Sequence, residues 1–192
     1  MKNITKILWL GILGLGLSVF VLDSISYAKA ASVAKKVQTI SILRNSTPIH
    51  IEIPSIGVNT NVESLGLTND GTMESPLDPN STGWYSLGTI PGDIGSAVID
   101  GHSGYKNKKP AVFDNLTKIK VGDKIYVKNT NGITNTFIVK KLKDYDPNTD
   151  ATEIFTSSDG LSHLNLITCT GDWNTEEQTH SKRLVVFADK II

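Results

Sequence analysis

Short stretches in which apolar and polar residues alternate recur along this chain, each closed by a turn signal. That recurrence constrains the fold more than any other feature. Alternation with a period of two puts every second side chain on one face, as a half-buried strand requires. His50-Ile51-Glu52-Ile53-Pro54 begins the series, and Ile56 to Val62 continues it in pieces broken by Gly57 and Asn59. Further strands are predicted through Ser96 to Ile99, Lys124 to Val127, Thr136 to Val139, Leu164 to Ile167 and Leu184 to Phe187, with Asn131-Gly132 and Asp159-Gly160 among the separators. Strands of this length and spacing predict an all-β barrel or sandwich. Two short helices are expected beside it. One follows Pro110, where Val112, Phe113 and Leu116 have helical spacing; the other follows Asp150, an N-cap candidate with Glu153 three residues on.

A length of 192 residues leaves room for one globular domain once a targeting segment is set aside. Residues Ile7 to Leu22, reading ILWLGILGLGLSVFVL, form an uncharged apolar run behind Lys2 and Lys6. This pattern marks residues 1–28 as a signal peptide or signal anchor and puts the domain outside the cytoplasm. The run is about 16 residues, short of the ~20 of a comfortable span. Extended through Ile25 and Tyr27 it could tilt and stay as an anchor in the cell membrane. Cleavage at Ala28-Lys29-Ala30 would instead release the protein. Residues 29–48, rich in Ala, Ser, Lys and Thr, read as a stalk, and 49–192 as the domain, expected to be monomeric. Basic and acidic residues balance at 19 each, which argues against a nucleic-acid face or an acidic tail.

The chain has a single cysteine, Cys169, so an internal disulfide is impossible. In an exported protein such a thiol is a packed side chain, an intermolecular bridge or a reactive nucleophile. A nucleophile needs a proton carrier and positive charge or donors for the oxyanion it creates. Cys169 closes the run Leu164 to Ile167 and precedes Thr170-Gly171, a strand end turning toward solvent. His102 also ends a strand, between Gly101 and Gly104, and Arg183 opens the last one, on the face shared by Val185 and Phe187. Its guanidinium could serve a thiolate or an oxyanion. Singly, each has a plainer reading as a packed thiol, a turn histidine or a solvated edge arginine. His50, His163 and His180 form no metal-ligand spacing, and one thiolate cannot build a zinc site, so no metal or cofactor is implied.

These residues carry a resemblance. Leu166-Ile167-Thr168-Cys169 resembles the T-L-x-T-C signature of sortases, and Lys182 to Ala188 resembles their arginine-bearing last strand. The likeness extends through Ile51 to Val58, Gly83-Trp84-Tyr85 and Pro91 to His102, in a form most similar to class F. Asn165 departs from the usual threonine, and Thr170-Gly171 from the usual Gly-Gly. The resemblance implies a closed eight-stranded β-barrel whose groove takes an L-P-x-T-G-like sorting peptide. Cys169 would attack the Thr–Gly carbonyl to give a thioacyl enzyme, His102 would protonate the leaving amine, and a cell-wall precursor amine would resolve the intermediate. Arg183 would hold the substrate or the oxyanion, Thr168 would help line the site, and Asp144 to His163 would be the recognition loop between the sixth and seventh strands. Two other readings are a thiol peptidase that only hydrolyses and an anchored binding module with an inactive barrel. The S-x-G-C-x-R arrangement of an L,D-transpeptidase is missing.

Overall fold

The computed structural model describes residues 29, 31–33, 35, 46–104, 110–147, 149–175 and 179–191. The chain divides into two units, Met1–Asn45 and Ser46–Ile192. In the first, residues 29, 31–33 and 35 are helical; the apolar run Ile7 to Leu22 lies outside the described residues. Among the described residues, no helix is long and apolar enough to cross a membrane.

The second unit is a closed barrel of eight strands. In chain order they are β1 (Pro48–Ile53), β2 (Val58–Leu65), β3 (Thr82–Tyr85), β4 (Gly95–Gly101), β5 (Lys124–Asn129), β6 (Thr134–Tyr145), β7 (Ser162–Asn174) and β8 (Thr179–Lys190). Around the barrel the order is β1-β2-β3-β4-β7-β8-β6-β5, closed by antiparallel pairing of β1 with β5. Two pairs are parallel, β2 with β3 and β4 with β7. Parallel neighbours require long connections. The β2–β3 connection and the β6–β7 connection, residues 146–161, both reach the outer face of β4 and β7, where they line one pocket.

Alternation settles which side chains go inside. Ala97, Ile99, Leu164, Leu166, Leu184 and Val186 belong to the interior cluster. Val98 and Val185, on the opposite face of the same strands, are covered by Ile154 and Tyr145 in a second cluster. The sheet is therefore apolar on both faces where the β6–β7 connection crosses it. This fixes the register of the strand that carries the thiol. A one-residue slip of β7 would take Leu164 and Leu166, both fully buried, out of the interior, put Asn165 in their place and turn Cys169 inward.

Both expected helices are shorter than the sequence implied. After Pro110 the chain forms turns and then a single 3-10 turn, Leu116–Lys118, with Leu116 fully buried. After Asp150 comes α1 (Thr152–Phe155). The N-cap is Ala151 and not Asp150; one residue earlier, the Asp150 carboxylate accepts from the Thr152 backbone N–H at 3.0 Å and from its hydroxyl at 2.6 Å in the turn that leads into the helix. Glu153 reaches back to β6 instead of to the cap, accepting from Lys143 Nζ at 2.7 Å and from the Tyr145 hydroxyl. A ring contact of Phe155 on Tyr85, edge to face at 5.6 Å, ties the helix to β3.

Candidate active site

Pairing registers bring the three candidate groups into one row. Asp100 of β4 lies beside Ile167 of β7 in a parallel ladder, so two residues further on His102 comes level with Cys169. Cys169 pairs with Arg183 of β8, and Arg183 pairs with Tyr145 of β6. The row His102, Cys169, Arg183, Tyr145 thus crosses the outer face of the sheet, and all four line one pocket of about 460 Å3. Each lies two residues from a side chain on the same face, about 7 Å along the strand.

The strand containing Cys169 continues further than its sequence implied. β7 runs on to Asn174 and β8 begins at Thr179, so Cys169 and Arg183 lie inside a long hairpin and not at strand ends. Polar residues after Cys169 hide this continuation from a reading based on apolar alternation. Pairing stays regular to Thr170 with Lys182, then shifts through a bulge before Trp173 pairs with His180. Gly171 sits in that bulge with φ of 80°, a conformation that costs a side-chain-bearing residue about 1–2 kcal/mol. His102, in contrast, stands just beyond the last residue of β4, as read.

Several contacts hold His102. Its carbonyl accepts from the Phe113 N–H at 2.9 Å, and the Gly104 N–H donates to Asp114 Oδ1 at 2.7 Å. The ring is fixed by the Pro76 carbonyl, 2.7 Å from Nε2. A carbonyl can only accept, so Nε2 carries hydrogen and Nδ1 is the nitrogen through which a neutral ring can accept a proton. The glycine before His102 has a steric cause: a Cβ on Gly101 would come within 2.5 Å of the Phe113 ring. We expect Gly101→Ala to destabilise the protein by about 1–3 kcal/mol through overpacking, read as a lowered midpoint in denaturant. An unchanged midpoint would show that Phe113 yields freely.

Two cross-ties lock β4 to β7 around the thiol. The Ser103 hydroxyl donates to the Cys169 carbonyl, and the Thr168 hydroxyl donates to the Gly101 carbonyl at 2.6 Å. Thr168 is 1% exposed and faces the barrel interior, so its hydroxyl braces the strand bearing His102 and does not reach the groove. Burial raises the proton affinity of Cys169; Arg183 opposes this and Asp100 adds to it. Burial thus disfavours the thiolate, and a nearby proton acceptor helps to generate the nucleophile. Arg183 is oriented through Nη1, which donates to the carbonyls of His180 and Lys182, each at 3.0 Å.

One wall of the pocket is apolar, made by Met73, Ala151, Ile154, Phe155 and Ile167. Much of it comes from the β6–β7 connection, which is narrower than the segment Asp144 to His163 implied by resemblance, because Asp144, Tyr145, Ser162 and His163 are strand residues. Asn165, the departure from the usual signature, has a structural task here. It is buried on the outer face of β7, and its Nδ2 donates to the Ile154 carbonyl at 2.6 Å, pinning α1 to the sheet. Among the described residues no group of three or more His, Cys, Asp or Glu side chains is placed to hold a metal ion.

Sequence reasoning missed Asp100, Ser75 and Tyr145 as pocket residues. Asp100 was accessible in principle, since a residue two before His102 on a strand shares its face. Ser75 and Pro76 lie in an irregular connection and gave no periodic signal.

The sequence matches the sortase domain family over residues 51–191. The chain belongs to the sortase family. Solved structures with the same fold include sortase C-1 from Streptococcus pneumoniae, 30% identical, with a TM-score of 0.60 over 75% of this chain and 66% of that one. A lid mutant of sortase A from Corynebacterium diphtheriae is 27% identical, with a TM-score of 0.59 over 77% of this chain and 72% of that one. Sortase C1 of Streptococcus agalactiae, solved in complex with MTSET, shares the fold at 23% identity and a TM-score of 0.59, over 77% of this chain and 70% of that one. The sortase described here thus spans about two thirds of the length of those chains. No curated protein sequence matches it. Sortases are cysteine transpeptidases, and the chain's one cysteine lies in the pocket just described.

Proposed function

We propose that this sortase cleaves an L-P-x-T-G-like sorting peptide at the Thr–Gly bond through a thioacyl intermediate and transfers the acyl part to a cell-wall amine. The observation that carries this reading is the row formed by His102, Cys169 and Arg183 along an apolar-walled pocket. Cys169 Sγ gives its proton to His102 Nδ1 and attacks the threonine carbonyl carbon. Collapse of the tetrahedral intermediate breaks the C–N bond, and the imidazolium returns a proton to the departing glycine amine. The incoming amine reverses these roles, losing a proton to His102 as the thiolate leaves. Arg183 stabilises the oxyanion or clamps the peptide carbonyls, since its planar donors face charge that develops in a site shielded from water. The apolar wall around Ile154 and Ile167 suits the leucine and proline of the peptide.

The segments Ile51 to Val58 and Pro91 to His102 favour a class F placement. Residues 1–28 act as anchor or signal, residues 29–48 as stalk, and the domain works as a monomer on the outer side of the cell membrane. The mass of the mature N-terminus tells an anchor from a cleaved signal. For the activity, the protein is incubated with a library of sorting pentapeptides and an added amine, and products are read by mass. A peptide–amine adduct is the expected product; free acid alone would make the protein a hydrolase, and no product from any peptide would favour an inactive binding module.

A further inference from the structure

One row below the thiol the groove floor contains an acid that the scheme above does not use. Asp100 lies on the same face of β4 as His102, about 7 Å along the strand. It lines the same pocket as Cys169 and Arg183, and it interacts with the hydroxyl of Ser75 from the β2–β3 connection. Opposite it on β3 is Gly83, over which the apolar Leu65 side chain lies, so β3 places no polar group against it. The polar and ionisable groups around it are therefore His102 on its own strand, Cys169 on β7, Arg183 on β8, Tyr145 and Asp146 at the end of β6, and Ser75. Glu153 on α1 is turned away, engaged by Lys143 and Tyr145.

We propose that Asp100 is a positioning residue for the thiol–imidazole pair, acting through space on His102 and Cys169 to set the pH range in which they exchange a proton. This rests on the transpeptidase reading, in which those two groups react. A carboxylate beside the thiol disfavours the thiolate, so it moves proton loss from Cys169 to higher pH. Burial is the largest influence and raises the proton affinity of Asp100, while Ser75, His102, the Gly101 N–H and Arg183 favour the ion. The charge on Asp100 is thus conditional on its surroundings, and Ser75 helps set it.

Asp100→Asn keeps the shape and removes the charge. The test measures alkylation of Cys169 by a neutral reagent across pH, alongside kcat/KM for peptide transfer. Both profiles are expected to move toward lower pH in Asp100→Asn, with alkylation at neutral pH about threefold faster or more. Asp100→Glu should return them toward the original, and Ser75→Ala should displace them in the same direction as Asn but less. Superimposable profiles in a folded Asp100→Asn protein overturn the inference; if that variant fails to fold, superimposable profiles for Ser75→Ala overturn it. Alkylation needs no turnover, so a displaced alkylation profile in a protein that transfers no peptide would sink the transpeptidase reading and leave this inference standing.

Discussion

Cys169→Ala is expected to lower transfer of a sorting peptide to an amine by at least about a thousandfold, because no other group in the chain can form the thioacyl bond. The barrel should survive the change. Cys169 is half-buried on the outer face of β7, outside the interior cluster, and pairs with Arg183 through backbone bonds that do not need the sulfur. Removing one such atom from a partly solvated site costs about 1 kcal/mol at most, near the value of a single buried methylene. Circular dichroism and the thermal midpoint report on the fold, and mass analysis of products reports on transfer. The variant has a further use as a trap: it keeps the groove, so it should still bind the peptide. Transfer at an undiminished rate in a verified Cys169→Ala protein would remove the nucleophile from the scheme.

Parts of this arrangement were legible in the sequence for a physical reason. Leu164 and Leu166 alternate with Asn165 and Ile167, and that pattern is enough to place Cys169 on the outer face of its strand. The same logic puts Arg183 with Val185, and the register confirms that they share a face with Tyr145 and Lys143 of β6. What the pattern could not supply was extent. β6 covers Thr134–Tyr145 and continues through Lys140, Lys141 and Lys143, charged residues that one-sided burial tolerates and that blur any apolar count. β3 was legible only by resemblance, since Thr82–Tyr85 has four residues and includes a glycine. Gly83 is required there because a Cβ would lie 2.0 Å from the Leu65 side chain, a cause that resides in another strand.

The site shows the same division between local and distant causes. Cys169, His102 and Arg183 stand out by residue type, whereas their supports come from irregular chain: Pro76 orients the imidazole and Ser75 contacts Asp100. Thr168 illustrates the reverse error. Its place next to the nucleophile made it a candidate for the groove, yet the period of a strand sends consecutive side chains to opposite faces, and its hydroxyl braces Gly101 from inside. Asn165, outward by the same alternation, reaches a partner that only the return of α1 over the sheet could provide.

Arg183→Lys is expected to lower kcat/KM for transfer on the order of a hundredfold, about 2.7 kcal/mol, with most of the loss in kcat. The argument turns on geometry, since both residues are cationic. Nη1 of Arg183 is held by the carbonyls of His180 and Lys182, which sets the plane of the guanidinium and the direction of its remaining donors. An ammonium group has no plane to set; engaged by those two carbonyls, it would be drawn toward β8 and away from an oxyanion over Cys169. Its positive charge, however, still opposes the burial that holds the Cys169 proton. The pH profile of Cys169 alkylation should therefore move little in this variant while transfer falls steeply. That divergence separates a directional role from a purely electrostatic one. Near-original transfer kinetics in Arg183→Lys would show that charge alone suffices, and a large displacement of the alkylation profile would assign the residue chiefly to thiolate stabilisation.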